Sequence, residues 1–141
     1  MTRLLVTFLL AQALPPGPAE RQLAGCYELT VGPLGRPTPP GHFDVIPPPK
    51  RVELSLVPLD STDVPFGRKL RALTPTVYGL AYWRWQARNT VRMAWSTGFV
   101  GVELTANRTT DGKLFGHAVW SSDAGPTEQE APVTGLRVPC K

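Results

Sequence analysis

The sequence is poor in charged residues and in residues that bind metals. Charged residues make up 18% of its 141 positions, below the usual share of about 25%. It holds two cysteines and two histidines, and His42 and His117 lack the CxxC or HxxxH spacing of a zinc ligand set. We therefore expect no metal site and no cofactor.

Long apolar runs and helical periodicity are also missing, apart from one stretch at the N-terminus. Residues 1–3 form a short basic segment, and an apolar run of about eleven residues follows from Leu4 to Leu14. That run has the length of a signal-peptide core and is too short to span a bilayer. We expect 1–25 to be a signal peptide with a short flexible lead-in, cleaved after Ala13 or, as second choice, after Ala19. The protein would then be exported to a bacterial periplasm, to the cell envelope or to the medium.

Basic residues exceed acidic ones but are not concentrated. The formal net charge is +4, yet the only local basic cluster is the segment 67–71. Nucleic-acid binders gather basic residues on one face and interleave them with exposed aromatic side chains. We therefore expect no nucleic-acid partner and interpret 67–71 as a solvated strand edge whose charges discourage aggregation.

The sequence is rich in proline, with 16 residues, and in segments that alternate between apolar and polar side chains. Alternation at period two, bounded by Gly, Pro, Asn or Asp, is typical of antiparallel strands. All four tryptophans lie in one such region, Val77 to Trp120, where Asp111-Gly112 is a strong hairpin signal. The predicted strands are 26–31, 51–57, 69–73, 77–85, 90–96, 99–106, 113–121 and 132–138, and 122–130 is predicted to be a loop.

Eight short antiparallel strands indicate an all-β domain at 26–141. A single eight-stranded up-and-down barrel is the favoured architecture, and a β-sandwich is the alternative. Between the first two strands, 32–50 holds seven prolines and three glycines. This Pro-rich loop is either a lid over the barrel mouth or a stiff surface excursion.

The two cysteines stand near the two ends of the predicted domain. Leu23-Ala24-Gly25-Cys26 matches a bacterial lipobox, so Cys26 is either lipidated or paired with Cys140. We favour the disulfide, because lipidation would leave Cys140 as an odd thiol; a membrane contact is expected only if Cys26 is lipidated. The pairing supports a closed barrel, but Cys26 shares the polar face of its strand and Cys140 the apolar face of its own. A local break at Pro139 would reconcile the two.

Two short motifs resemble those of the calycins, the superfamily of lipocalins, fatty-acid-binding proteins and avidins. Gly25-Cys26-Tyr27 is similar to the Gly-x-Trp motif that enters the first lipocalin strand, with Tyr for Trp. Arg137 resembles the basic residue of the last strand that covers that ring. The resemblance implies a barrel with a cavity at its open end that binds small apolar molecules.

An aromatic-walled cavity is the candidate binding site. Gly79 and Ala81 flank tryptophans and would leave room inside a barrel; the alternative is that the tryptophans simply fill the core. The candidate ligand-binding residues are Trp83, Trp85, Trp95, Trp120, Tyr82 and Arg84.

No residue is predicted to be catalytic. His117 with one of the strand carboxylates Glu28, Glu53 or Glu103 is a minor enzymatic alternative. We expect a monomeric, non-enzymatic, exported barrel that binds a small apolar ligand or a partner at its mouth. The alternative is a structural or interaction domain of the cell envelope with a filled core, lipid-anchored through Cys26 if that residue is modified.

Overall fold

The computed structural model describes residues 15–35, 45–60, 64, 66–123 and 125–141, and of 125–128 only the backbone. It contains one short helix, α1 (Pro18–Leu23), and eight strands that form one closed antiparallel barrel. The strands are β1 (Gly25–Val31), β2 (Arg51–Pro58), β3 (Arg68–Ala72), β4 (Leu80–Ala87), β5 (Thr90–Ser96), β6 (Val100–Arg108), β7 (Leu114–Ser122) and β8 (Gly125–Val138).

Each strand pairs with its neighbour in the chain, and β8 pairs with β1 to close the ring. This confirms the predicted up-and-down barrel over the sandwich. Strands β1, β3, β5 and β7 end, and β2, β4, β6 and β8 begin, at one end of the barrel, which we call the upper end. Helix α1 and the C-terminus lie at the other, lower end.

Alternating side chains place a continuous apolar row inside the barrel. In β5 the odd-numbered positions 91, 93 and 95 are buried and the intervening positions are half-buried. In register across five strands, Trp83 lies beside Met93, then Leu104, Ala118 and Ala131. All five are at most 2% exposed. The small side chains of the alanines on β7 and β8 leave room in this layer for the large side chain of Trp83, since small barrels alternate small and large interior residues.

Strand β8 begins earlier than predicted. The predicted loop 122–130 is wrong from Gly125 onward, since β8 starts there and pairs with β7 through Trp120↔Gln129 and Ser122↔Gly125. Polar residues in this segment suggest a turn by propensity alone. Pairing with a well-formed neighbouring strand overrides that preference.

The disulfide between Cys26 and Cys140 is present, with 5.3 Å between its Cα atoms. The sequence had placed Cys26 on a polar face and Cys140 on an apolar face, and the direction of the β8 side chains resolves this conflict. Ala131, Val133 and Gly135 are the buried inward positions, whereas Leu136 is 49% exposed and faces outward. Cys26 lies opposite Val138 on the outer face of β1, and β8 ends at Val138, two residues before Cys140. The bond therefore lies outside the barrel and joins β1 to the segment that follows the end of β8.

Helix α1 covers the lower end of the barrel. Proline at its first position and Glu20 at its third favour helix initiation there, and Leu23 is 1% exposed. Glu20 pairs with the Arg68 guanidinium at 2.8 Å, with the two side chains only 17% and 7% exposed. The expectation that 67–71 is a solvated edge is thus wrong for Arg68, which points inward and holds the helix against the barrel.

Arg137 joins α1 to the first and last strands. Its guanidinium lies 5.2 Å from the centre of the Tyr27 ring and donates hydrogen bonds to the Tyr27 hydroxyl and to the carbonyls of Gln22 and Ala24. The Tyr27 hydroxyl in turn donates to the Leu23 carbonyl at 2.8 Å. The basic residue predicted to cover the first-strand aromatic ring therefore does so.

Candidate functional site

The hydrogen-bonded ladder is shortest between β3 and β4. Only two pairs are in register there, Arg68↔Trp83 and Lys69↔Tyr82, both toward the lower end. Other neighbouring strands share between four and nine registered pairs. From Leu70 upward, β3 and β4 separate, and their facing edges are not joined to each other.

A cleft of about 320 Å³ opens where the two strands separate. We call it the β3–β4 cleft. Its volume lies at the lower end of the range of about 300–1,000 Å³ typical of ligand sites. Most of its lining is apolar, contributed by Leu59, Leu70, Ala72, Leu80, Ala81 and Trp95.

The polar groups of the cleft are cationic or neutral. Lys69 and Arg71 lie on its lining, together with Thr76 and Tyr78, and no carboxylate is among the described residues that line it. Arg71 is neutralised by Glu53 of β2, with 2.8 Å between the two groups. Lys69 has no ion-pair partner within the part of the chain that the structure describes.

The Pro-rich segment reaches over the upper end beside this cleft. The Ile46 carbonyl accepts hydrogen bonds from the Tyr78 hydroxyl at 2.6 Å and from the Trp120 indole N–H at 2.8 Å. Val45 and Ile46 pack against the core. The described part of the 32–50 loop thus covers the barrel mouth rather than only its surface; residues 36–44, including His42, lie outside the described residues.

Burial at this contact changes the chemistry of Tyr78, which is only 7% exposed. Desolvation raises the pKa of its hydroxyl to about 12, and the neighbouring indole N–H of Trp120 offsets part of that rise. The phenol is therefore neutral at physiological pH and acts as a hydrogen-bond donor that fixes the 45–50 segment, not as a base.

The predicted aromatic residues divide between the interior and the surface. Trp83, Trp95 and Trp120 point inward and are fully buried. Trp95 and Trp120 lie in one row of the sheet, separated by Val102. The Trp83 indole N–H donates to the Ser55 carbonyl at 2.8 Å, beside the irregularity of β2 between Leu54 and Pro58.

The other three predicted residues lie outside this interior. Trp85 is at the lower end, 42% exposed, and its indole donates to the Arg88 carbonyl. Tyr82 and Arg84 alternate with buried Trp83 and face outward. Of the six predicted residues, only Trp95 lines the β3–β4 cleft.

Sequence reasoning missed Leu70 and Lys69 as parts of this site. Leu70 and Lys69 belong to the short segment interpreted only as a basic edge. Tyr78 was assigned to a strand, although it lies in the connection before β4. The one available signal was the pair of small residues Gly79 and Ala81, both of which line the cleft.

Two buried polar groups near the upper end have no hydrogen-bond partner among the described residues. Gln129 is 1% exposed, and neither its amide nitrogen nor its carbonyl oxygen is bonded. The indole nitrogen of Trp95 is likewise buried and unbonded. Gln129 continues the row of Trp95 and Trp120 onto β8, so both groups belong to the same layer of the interior.

The residues considered for catalysis are not brought together around a cavity. His117 is exposed on β7 opposite Pro132. Glu53 and Glu103 form ion pairs with Arg71 and Arg92.

Over the described ranges, no group of three or more His, Cys, Asp or Glu side chains is arranged to hold a metal ion. Nor is any helix in those ranges long and apolar enough to cross a membrane.

The closed eight-stranded barrel is compatible with a lipocalin-like fold. Comparison of the chain with protein-family models, with curated proteins and with solved structures finds no match.

Proposed function

We propose that this protein is an exported, non-enzymatic, calycin-like barrel that binds a small apolar ligand in the β3–β4 cleft. The observation that carries the proposal is the separation of β3 and β4 above Lys69, which opens a mainly apolar space of about 320 Å³. Apolar concave sites with a few polar groups are the usual form of small-molecule sites.

The position of the cleft favours entry from the side of the barrel. Ile46, bonded to Tyr78 and Trp120, covers the mouth, and α1 covers the lower end. Trp83 and Trp120 fill the space between them. A ligand at the upper end therefore has its most direct access between the two separated strands, where Trp95 forms part of the wall.

Export is supported by the disulfide and by the N-terminal sequence. Disulfides persist mainly in oxidising compartments, and the Cys26–Cys140 bond closes the barrel seam. With its sulfur in that bond, Cys26 is not available for a lipid anchor. The predicted apolar core of the signal peptide, Leu4 to Leu14, and the preferred cleavage point after Ala13 lie outside the described residues.

The calycin-like assignment is supported by the contact of Arg137 with Tyr27 at the lower end. Together with α1, this contact covers the lower end of the barrel, and the β3–β4 cleft opens above it between the two separated strands. The assignment rests on fold and motif, so the ligand must be established from the cleft itself.

A blocking substitution tests the proposal. Ala81→Phe places a large side chain in the cleft, whereas Ala87→Phe makes the same change on the exposed lower end of β4. We expect saturable one-site binding of N-phenyl-1-naphthylamine, a neutral apolar fluorophore, to the disulfide-bonded protein and to Ala87→Phe. Binding should be lost in Ala81→Phe at unchanged circular dichroism. Equal binding by both variants would place the site elsewhere.

The second candidate is a structural or interaction domain of the cell envelope with a filled core. The buried tryptophans favour it, as do the exposed side chains of Val77 and Phe99 at the upper end, 69% and 77% accessible. Native mass spectrometry of mildly purified protein distinguishes the two candidates. A co-purifying small molecule supports the binding protein, and its absence together with no fluorophore binding supports the filled domain.

A further inference from the structure

We infer that the β3–β4 cleft selects a compact apolar molecule carrying a single negative charge, such as a carboxylate, and that Lys69 recognises this charge. The inference rests on the proposed function and adds the class of its ligand. It follows from the distribution of charge and of apolar surface around the cleft.

The charged side chains on the described lining of the cleft are all positive. Lys69 and Arg71 contribute two cations, and no acidic side chain is among the described residues of the lining. Arg71 is already paired with Glu53 across β2 and β3. The uncompensated charge of the described lining is therefore the ammonium group of Lys69, and one free ammonium matches one negative charge.

The apolar and charged parts of the cleft are on different sides of the sheet. Leu70 alternates with Lys69 and is 6% exposed on the inner side, where Ala81 and Trp95 also line the space. Lys69 is exposed on the outer side. A ligand that enters with its apolar body toward Trp95 thus leaves its polar end near the ammonium, while the lysine stem can cover part of the apolar body.

The size of the cleft limits the ligand. A volume near the lower limit for ligand sites suits a body of one or two fused rings better than a long chain or a multiply charged headgroup. A group with two negative charges would keep one of them uncompensated, because Arg71 is already paired with Glu53 and Lys69 supplies a single positive charge.

Matched probes test the inference. 2-Naphthoate and 2-naphthamide have nearly the same shape and differ in charge. By isothermal titration calorimetry at low salt, we expect the disulfide-bonded protein to bind the carboxylate about three- to fivefold more tightly, the scale of an exposed ion pair. The preference should shrink at high salt because exposed charges are screened.

Two lysine variants assign the effect. Lys69→Gln should abolish the preference and leave the affinity for the amide unchanged. Lys113→Gln, which makes the same change in net charge in the β6–β7 turn, should keep the preference.

The outcomes separate this inference from the proposed function. Equal binding of both probes overturns the charge selection and leaves the cleft as an apolar site. A preference that persists in Lys69→Gln overturns the role of this residue. Failure of the protein to bind either probe, or binding that Ala81→Phe does not affect, overturns the cleft itself as the site.

Discussion

Replacing Gln129 by methionine is expected to stabilise the barrel. The glutamine side chain is 1% exposed, and neither of its polar atoms is hydrogen-bonded to a residue that the structure describes. A buried polar group without a partner costs about 1–3 kcal/mol, whereas methionine has a similar length and no polar group to satisfy. We therefore expect the free energy of unfolding to rise by about 1–3 kcal/mol, which corresponds to roughly 4 °C in Tm per kcal/mol for a domain of this size.

Urea unfolding followed by tryptophan fluorescence measures this change, with the slope against urea unchanged. Gln86→Met is the matched control, because Gln86 is exposed on β4 and its replacement should alter stability by less than about 0.5 kcal/mol. A loss of more than about 1 kcal/mol in Gln129→Met would refute the reasoning. It would mean that the amide is hydrogen-bonded in solution, for example to an ordered water of the kind that satisfies buried polar groups.

Three further predictions concern the seam, the lid contact and the packing of the barrel wall. Replacing both Cys26 and Cys140 by alanine should lower the free energy of unfolding by about 4–5 kcal/mol on the chain-entropy model, because the bond spans 114 residues. Urea unfolding of this variant and of the oxidised wild type measures the difference, and a loss below about 1 kcal/mol would contradict the prediction. The folded-state pKa of Tyr78, about 12, exceeds its ordinary value of 10.0. The stability that the neutral phenol contributes is therefore complete below pH 10 and should fall by about 2–3 kcal/mol as the pH rises to 12. Tyr78→Phe should remove that part of the alkaline loss of stability, and stability curves against pH that run parallel in the variant and the wild type would contradict the assignment. A Cβ added at Gly116 would lie 1.9 Å from a backbone oxygen of β6, whereas one at Gly79 would have nothing within 4 Å. Gly116→Ala should therefore destabilise the barrel by about 1–3 kcal/mol, and Gly79→Ala should hardly change its stability. Similar urea unfolding midpoints for the two variants would contradict the close approach of β6 and β7.

The regular strands could be predicted because one face of each is buried. Thr90–Ser96 alternates between apolar and polar side chains along its whole length, and its observed burial follows that alternation. Hairpin turns could also be predicted from the sequence. Gly98 and Gly112 have φ of 98° and 83°, which favours glycine, although Asp111 does not share the positive φ of the type I′ turn from which the hairpin was predicted.

The inward face of β8 could not be read from the sequence, because apolar residues occupy both sides of this strand. Leu136 faces solvent while Gly135 lies against Leu114 and Leu29 inside. Glycine carries no hydropathy signal, and its inward position is required by close packing. The parity problem of Cys140 followed from assigning the larger side chains to the interior.

The candidate site could be predicted only in part, because it depends on how far the hydrogen-bonded ladder between β3 and β4 extends. Alternation locates strands but does not state how many residues of β3 and β4 pair. Nor does it reveal that the Ile46 carbonyl accepts the hydrogen bonds of Tyr78 and Trp120, since this contact joins residues more than 30 positions apart. Trp83, Trp95 and Trp120 are buried inside the barrel, and of these Trp95 is the one that also lines the cleft.

Binding in the β3–β4 cleft is tested most directly by nuclear magnetic resonance of the four tryptophan indole groups during titration with 2-naphthoate. Trp95 lines the cleft, whereas Trp83 is bonded to Ser55 deeper in the barrel and Trp85 lies at the lower end. We expect the Trp95 indole N–H resonance to shift in a saturable way, together with the backbone amides of Leu70 and Ala81. Saturable shifts confined to Trp85 and the lower end, or no shifts at all, would contradict the account.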